Sequence, residues 1–122
     1  MNTKIKWLRE KIKMRNMQAI IISNPYNIKY LTGIDAEGVL IIARKENFFL
    51  TDSRYLEEVK STLTIDDEII VIDISKISQE DYETFFIFCE NVGFEENYIT
   101  YAQYKDYMQK YKVHNFEETD YI

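Results

Sequence analysis

The stretch QAIIISNPYNIKYLTG, residues 18–33, decides the fold predicted for this chain of 122 residues. Residues 18–23 form a short apolar run, rich in β-branched side chains and without alternation, which is typical of a strand covered on both faces. Ser23-Asn24-Pro25 then supplies a helix cap followed by proline at the first helical position. Gly33 predicts a left-handed helix end. The stretch therefore predicts a buried strand that leads directly into a short helix.

Helices and buried strands alternate along the rest of the chain. The predicted elements are a helix over 3–17, an antiparallel hairpin of strands at 39–43 and 48–50, a helix opening at 51–55, a buried strand at 68–73, a helix from 78 to about 91, a strand at 91–95, a helix at 101–112 and an edge strand at 113–116. This order predicts a single three-layer α/β domain, residues 1–122, with a mixed, mostly parallel sheet containing one antiparallel hairpin.

Apolar side chains at helical spacing predict which face of each helix is buried. The first helix carries Ile5, Leu8 and Ile12 on one side. The predicted stripes of the last two helices are Tyr82, Phe85, Phe86 and Cys89, and Tyr101, Tyr104, Met108 and Tyr111.

The net charge of −6 argues against non-specific binding to nucleic acid. Residues 1–15 nevertheless hold six basic side chains and one acidic one. Such a basic helix can contact a membrane surface or an acidic partner, but a solvated face lying over an acidic domain is the preferred interpretation. The absence of a long apolar run and of a signal-peptide core predicts a cytoplasmic protein without membrane contact.

Most enzymatic chemistry lacks the residues it needs in this sequence. There are only three glycines and no phosphate-cradling glycine loop. The single histidine, His114, is expected at the surface, and the single cysteine, Cys89, is expected to be an inert residue on an apolar helix face. The acidic run 66–68 is interpreted as a solvated loop rather than a cation site. No catalytic residue and no metal ligand is predicted in this chain.

Two charges stand where helix dipoles disfavour them. Arg54 lies in the first turn of a predicted helix, and Asp35 lies just beyond the end of another. Both flank the 38–50 hairpin, so they can meet at one edge of the sheet. An Asp35–Arg54 ion pair would relieve both misplacements. It would act either as a local salt bridge that closes the hairpin or as part of a groove that grips something polar.

The segments NPYNIKYLTGID, FFLTDSRYLEE and VGFEENYITYAQY together resemble the N-terminal domain of the creatinase/prolidase family, and in particular of Xaa-Pro dipeptidases and Xaa-Pro aminopeptidases. The resemblance runs from the basic first helix to about Tyr111. It implies a ribonuclease-H-like arrangement of strands. The sequence departs from many relatives at Ile34 and Ser53, where they have Phe and Gly, and the segment 35–38 is more acidic than usual.

The resemblance implies a function for a longer protein. Such proteins hydrolyse the peptide bond that precedes proline, with two divalent metals, usually manganese, in a C-terminal catalytic domain that this chain lacks. The N-terminal domain contributes to a homodimer and narrows access to the active site, so that short proline-containing peptides are selected. By the resemblance, Asp35, Arg54 and the adjacent Tyr55 border the substrate cleft.

Two other interpretations remain open at this stage. The chain could be a stand-alone peptide- or protein-binding module of the same fold that lacks peptidase activity. An unrelated α/β enzyme is disfavoured by the sparse set of chemically active residues.

Overall fold

The computed structural model describes residues 2–121, which form a six-stranded mixed sheet with helices on both faces. The strands are β1 (Ala19–Ile22), β2 (Val39–Ile42), β3 (Asn47–Thr51), β4 (Ile69–Asp73), β5 (Asn91–Glu95) and β6 (Asn115–Thr119). The helices are α1 (Thr3–Met14), α2 (Pro25–Thr32), α3 (Leu56–Thr62), α4 (Gln79–Thr84) and α5 (Tyr101–Tyr111), with short 3₁₀ turns at Ser53–Tyr55, Ile65–Asp67 and Ile74–Lys76.

The sheet order is β4-β3-β2-β1-β5-β6. Strand β2 is antiparallel to both β1 and β3, whereas the pairs β3–β4, β1–β5 and β5–β6 are parallel. The predicted three-layer α/β domain with a mostly parallel sheet and one antiparallel hairpin is confirmed. The topology places the carboxyl ends of β1, β3, β4, β5 and β6 along one edge, which we call the upper edge.

Two hydrophobic cores hold the layers together. On one face α1, α2 and α3 bury Ile5, Leu8, Ile28 and Val59 against alternate strand residues such as Ile20. On the other face, residues from α4, α5 and their flanks, including Phe86 and Tyr107, pack against the intervening strand residues, such as Ile21. All four residues of β1 are buried because helices cover both faces, as its uniform apolar sequence predicts.

The local signals around α2 act as predicted. The Asn24 side chain accepts a hydrogen bond of 3.0 Å from the Tyr26 backbone N–H, and Pro25 occupies the first helical position. Gly33 ends the helix with φ of 80°, a conformation that glycine adopts without a steric cost. These signals fix where the chain leaves β1 and where it turns toward β2.

The helix predicted from 78 to about 91 is much shorter, because α4 ends at Thr84. Its start is correct, since Ser78 caps Asp81 in a capping box. The run from Thr84 to Phe88 is β-branched or aromatic, and such residues are poor helix formers. The chain instead turns, with the Cys89 N–H donating to the Phe86 carbonyl at 2.9 Å.

The strand predicted as buried at 68–73 is instead an edge strand. Strand β4 pairs only with β3 among residues 2–121, and Ile70 is 45% exposed. The uninterrupted aliphatic sequence suggested coverage on both faces, but the short α4 leaves part of this surface open. The sequence pattern alone could not distinguish a covered strand from an uncovered one.

The buried stripe of α5 is also different from the prediction. Tyr101, expected in the stripe, is 75% exposed, whereas Tyr107, which was not expected there, is buried beside Tyr111. The Tyr107 ring lies 5.7 Å from that of Tyr111, and its hydroxyl shares a hydrogen bond of 2.6 Å with the Ser23 hydroxyl. With tyrosines at four positions of this helix, the apolar pattern did not fix the rotation.

Basic side chains of the N-terminal region bond to the domain itself. Lys4 Nζ donates to the Tyr30 carbonyl at 3.0 Å, and Arg9 Nε donates to the Ala43 carbonyl at 2.9 Å. These contacts support the interpretation that α1 lies over its own domain. Within residues 2–121, no helix combines the length and the apolar composition that a membrane crossing requires.

Candidate functional site: a groove at the upper edge of the sheet

A groove of about 430 Å³ opens at the upper edge, above β1 and β2. In α/β sheets, ligands bind preferentially in crevices beyond the carboxyl ends of the strands. One side of this groove is the loop 35–38 between α2 and β2. The remaining lining side chains come from the segments that follow β1, β3 and β5: Ser23, Pro25, Ile28, Tyr55 and Tyr98.

The loop 35–38 is held in place where it enters β2. The Thr51 hydroxyl, at the end of β3, donates to the Glu37 carbonyl at 2.7 Å. Gly38 passes so close to β3 that a Cβ there would lie 2.5 Å from the Leu50 carbonyl oxygen and would also overlap the Phe49 ring. Only glycine fits this approach, so the carboxylates of the loop project from a fixed backbone.

A second feature of the upper edge is a buried carboxylate. Glu95, at the end of β5, is only 7% exposed. Its Oε1 accepts hydrogen bonds from the backbone N–H groups of Ser23 and Asn24 at 2.6 and 2.9 Å, and its Oε2 accepts from Asn27 Nδ2 at 2.5 Å. Glu95 thereby ties the end of β5 to the start of α2.

Sequence reasoning singled out the stretch 24–28 but did not identify Glu95 or its contact with Asn27. The signal was present, because an Asn-Pro-x-Asn turn follows β1 and an acidic residue ends β5, which is parallel to it. Carboxyl ends of adjacent parallel strands meet at the same edge of a sheet. The pairing could have been predicted only once β1 and β5 were known to be neighbours.

The predicted ion pair between Asp35 and Arg54 does not form among the described residues. Arg54 pairs instead with Asp52, whose Oδ2 lies 2.9 Å from Arg54 Nη2, and Asp35 lies 3.5 Å from Lys29 Nζ. The counter-charge of each residue is therefore local. For Asp35 it comes from the last turn of α2.

Arg54 lies in the 3₁₀ turn that precedes α3 rather than in the first turn of α3 itself, and its charge has a local counter-charge. Asp52 caps the 3₁₀ turn by accepting the Arg54 backbone N–H at 2.9 Å, and it also accepts a hydrogen bond of 3.0 Å from Arg54 Nε. Hydrogen bonds from the Arg54 side chain, and then from its backbone, lower the pKa of the Asp52 carboxyl. The cap residue thus neutralises the cation that the helix dipole disfavours.

Of the three residues expected at the cleft, Asp35 and Tyr55 line the groove. Arg54 lies next to it, with its guanidinium carbon 5.3 Å from the centre of the Tyr55 ring. Glu37, which also lines the groove, adds a favourable charge interaction with Arg54. The site therefore combines exposed carboxylates, a guanidinium group and two tyrosine rings, which can bind an ammonium group, a carboxylate or a planar peptide group.

Residues 2–121 contain no cluster of three or more His, Cys, Asp or Glu side chains able to hold a metal ion. His114 is exposed, as expected. Cys89 is partly buried, and this burial raises the pKa of its thiol, which lowers its reactivity. Neither residue lies in the groove.

The fold and the groove define a three-layer α/β domain with a polar groove at the carboxyl ends of its strands. Residues 4–122 match the family described as the Creatinase/Prolidase N-terminal domain. The chain belongs to this family, which confirms the resemblance seen in its sequence motifs.

Individual relatives agree with this assignment. The chain is 31% identical over 107 residues to the uncharacterized peptidase YqhT of Bacillus subtilis (strain 168). The aligned region covers 85% of this chain and 30% of that protein. Its fold is similar to that of an Xaa-Pro dipeptidase from Bacillus anthracis, with a TM-score of 0.83, 21% identity, and coverage of 97% of this chain and 33% of that one. An aminopeptidase P structure from Streptococcus thermophilus gives a TM-score of 0.81 at 22% identity, with 97% and 91% covered. The chain therefore spans about a third of the peptidase from Bacillus subtilis.

Proposed function

We propose that this chain is the non-catalytic N-terminal domain of an Xaa-Pro metallopeptidase, and that its groove forms part of the wall of the substrate entrance. The observation that carries the proposal is the position of Asp35 and Tyr55 in one groove at the upper edge of the sheet. Family membership and the peptidase names of the relatives support it. The short share of the relative covered by the chain leaves room for a separate catalytic domain.

In this proposal the hydrolysis of the bond before proline takes place in the following domain. Two divalent metals, expected to be manganese, would be bound there by two Asp, one His and two Glu, and would activate the attacking water. The residues described here do not offer such a ligand set. Their proposed part is to shape the route by which a peptide reaches the metals.

The chemistry of the groove suits the ends of a short peptide. The carboxylates of Asp35 and Glu37 would attract an N-terminal ammonium group, and Arg54 could exchange its partner Asp52 for a peptide carboxylate. The tyrosine rings would pack against proline and its neighbouring peptide plane. A fixed rim of this kind would admit short, unfolded peptides and exclude folded chains. The domain would act within a homodimer in the cytoplasm, without binding nucleic acid or membranes.

Steady-state kinetics on the longer polypeptide provide the test. With manganese and a series of Xaa-Pro peptides, we expect Arg54→Ala and Asp35→Ala each to raise KM by about fivefold, with a smaller change in kcat, because a peptide contact worth about 1 kcal/mol is lost. Lys45→Ala is the matched control, because it removes a charge from the turn between β2 and β3, at the opposite end of the strands from the groove. Unchanged kinetics in both groove variants would contradict the cleft role.

The 122-residue chain alone separates this proposal from the alternatives. We expect it neither to hydrolyse Xaa-Pro peptides nor to bind manganese tightly. Metal-dependent hydrolysis by this chain would overturn the proposal. A reading frame that encodes no metal-binding domain after residue 122 would instead favour the stand-alone binding module.

A further inference from the structure

Strand β4 has an uncovered hydrogen-bonding edge. Among residues 2–121 its only strand neighbour is β3, so the backbone groups on its outer side have no strand partner. Natural edge strands are usually protected from pairing by lysine, proline, a bulge or a covering loop. Residues 69–72 of β4 are all aliphatic, and only Asp73 at its end is charged. This edge therefore lacks the usual side-chain protection.

The other edge strand of the sheet, β6, differs in this respect. Strand β6 carries Glu117 and Glu118. Arg15 Nη2 donates to the Glu118 carbonyl at 3.3 Å, and the Tyr121 hydroxyl lies 3.5 Å from the Lys11 carbonyl. Charges and contacts from α1 and its C-terminal cap thus protect β6. The two edge strands are therefore not equivalent, and among residues 2–121 β4 is the one better suited to pairing with another strand.

Exposed isoleucines accompany β4 along its length. Ile65, Ile70 and Ile74 are 93%, 45% and 40% exposed. Ile70 lies beside Phe48 in the β3–β4 register, and the Phe48 ring is 5.0 Å from the ring of Phe85. The edge is therefore continuous with an apolar surface, and such surfaces mark interaction sites.

We propose that β4 pairs in antiparallel fashion with β4 of a second copy of this chain, around a two-fold axis at Val71. Two six-stranded sheets would then join into one continuous sheet of twelve strands. The pairing would supply the contact surface of the homodimer that is part of the proposed function. The inference rests on the proposed function only for the biological role of that dimer.

Self-complementarity identifies a second copy as the occupant. The axis at Val71 sets Ile70 opposite Ile72 of the other copy, twice, on one face of the strand, and Ile69 opposite Asp73, twice, on the other face, so the aliphatic contact comes from the Ile70–Ile72 pairs. It also brings the exposed Lys76 toward the acidic run 66–68 of the other copy. Asp73 also lies at the Lys76 end of β4, so the antiparallel arrangement follows from the two-fold axis rather than from a difference in charge between the two ends of the strand.

The downstream part of the same polypeptide is a less suitable occupant. The chain leaves the sheet after β6, at the edge farthest from β4. Five strand spacings separate the two edges, which is roughly 24 Å. A domain that begins after Tyr121 therefore starts on the other side of the sheet, whereas a second copy reaches β4 by symmetry.

Sedimentation velocity of the 122-residue chain tests the proposal. The protein concentration should reach about 1 mM, because a weak association can have a dissociation constant of that size. We expect a concentration-dependent dimer. Ile70→Lys should raise its dissociation constant by at least about 100-fold, because each dimer would bury two ammonium groups against isoleucine. Met14→Lys makes the same charge change at an exposed apolar residue of α1, and it should leave the dimer intact.

A charge-swap experiment guards against a folding defect. Ile70→Lys and Ile70→Glu should each be monomeric, and an equimolar mixture should recover the dimer, because the two side chains come within reach across the axis. A wild-type chain that stays monomeric at all concentrations would overturn the proposal. So would a dimer that Ile70→Lys does not weaken, or a mixture that does not reassociate. Failure of the proposed function would appear differently, as absent Xaa-Pro hydrolysis by the longer polypeptide while the β4 dimer still forms.

Discussion

Glu95 and Asp35 are two carboxylates at the same edge of the sheet with opposite surroundings. Glu95 is buried and accepts three N–H donors, whereas the side chain of Asp35 is 79% exposed and lies near a single lysine. The first joins β5 to the start of α2, and the second projects from a loop into a groove. The difference teaches that this edge has two parts: a buried frame, formed by Glu95 and its hydrogen-bond donors, and an exposed groove wall to which Asp35 belongs.

The largest effect should come from breaking the frame. Glu95→Ala leaves the N–H groups of Ser23 and Asn24 and the Asn27 amide without their acceptor, at a cost of about 1–3 kcal/mol for each unsatisfied group. We expect a loss of roughly 3 kcal/mol in the free energy of unfolding, because water can reach some of these groups. Urea titration of the 122-residue chain measures it.

The neighbouring residue is the control for this variant. Glu96→Ala removes a carboxylate that lies beside Glu118 and whose pKa is raised by that contact, so it should not destabilise the chain at neutral pH. If Glu95→Ala and Glu96→Ala have the same free energy of unfolding, the stability of the frame does not depend on the buried carboxylate.

A second change tests whether the loop 35–38 is held in place by its close contact with β3. Gly38→Ala places a Cβ against the Leu50 carbonyl and the Phe49 ring, so the loop or β3 must shift. Overpacking of this kind costs about 1–3 kcal/mol. We expect a loss near 2 kcal/mol by urea titration. A variant as stable as the wild type would show that the loop backbone is mobile rather than fixed.

The helix cap should have a smaller effect. Asn24→Ala removes the side-chain acceptor of the Tyr26 N–H while leaving the Glu95 contacts to the backbone in place. Loss of such a cap costs about 1 kcal/mol. Asn24→Asp keeps an acceptor at the same position and should restore most of the stability. Equal destabilisation by both substitutions would point to a role for Asn24 other than capping.

The smallest effect concerns the pH dependence of the exposed pair. Hydrogen bonds from Arg54 lower the pKa of Asp52, so this carboxylate stabilises the fold above its unfolded pKa, near 4. That contribution is lost as the pH falls through the lowered folded value. Thermal melting between roughly pH 5 and pH 2 should show a slightly flatter acid decline for Asp52→Asn than for the wild type. An unchanged profile would mean that solvent screens the pair completely.

Local signals predicted most of the fold. Residues 24, 25 and 33 set the ends of α2, and the run 19–22 identified a strand with both faces covered. Positions that depend on neighbouring elements were not predictable in the same way. The exposure of Ile70 follows from the early end of α4, and the burial of Tyr107 follows from its contact with Ser23, which comes from distant sequence.

The candidate site was predicted only in part. Asp35 and Tyr55 do share a groove, but their functional role remains a prediction. The Asp35–Arg54 pair was wrong because each residue has an opposite charge within a few positions of the chain. Glu95 was missed because its donors lie about 70 residues away in sequence and become neighbours only through the β1–β5 pairing.

The most direct test asks whether Arg54 contributes to peptide binding while Glu95 contributes to stability. It compares Arg54→Ala with Glu95→Ala in the longer polypeptide, and it measures both the melting temperature and kcat/KM for a short Xaa-Pro peptide. The account predicts that Arg54→Ala lowers kcat/KM by about fivefold without a measurable change in melting temperature. Glu95→Ala should lower the melting temperature by several degrees. A large drop in melting temperature for Arg54→Ala, with kcat/KM unchanged for the protein that remains folded, would contradict the account.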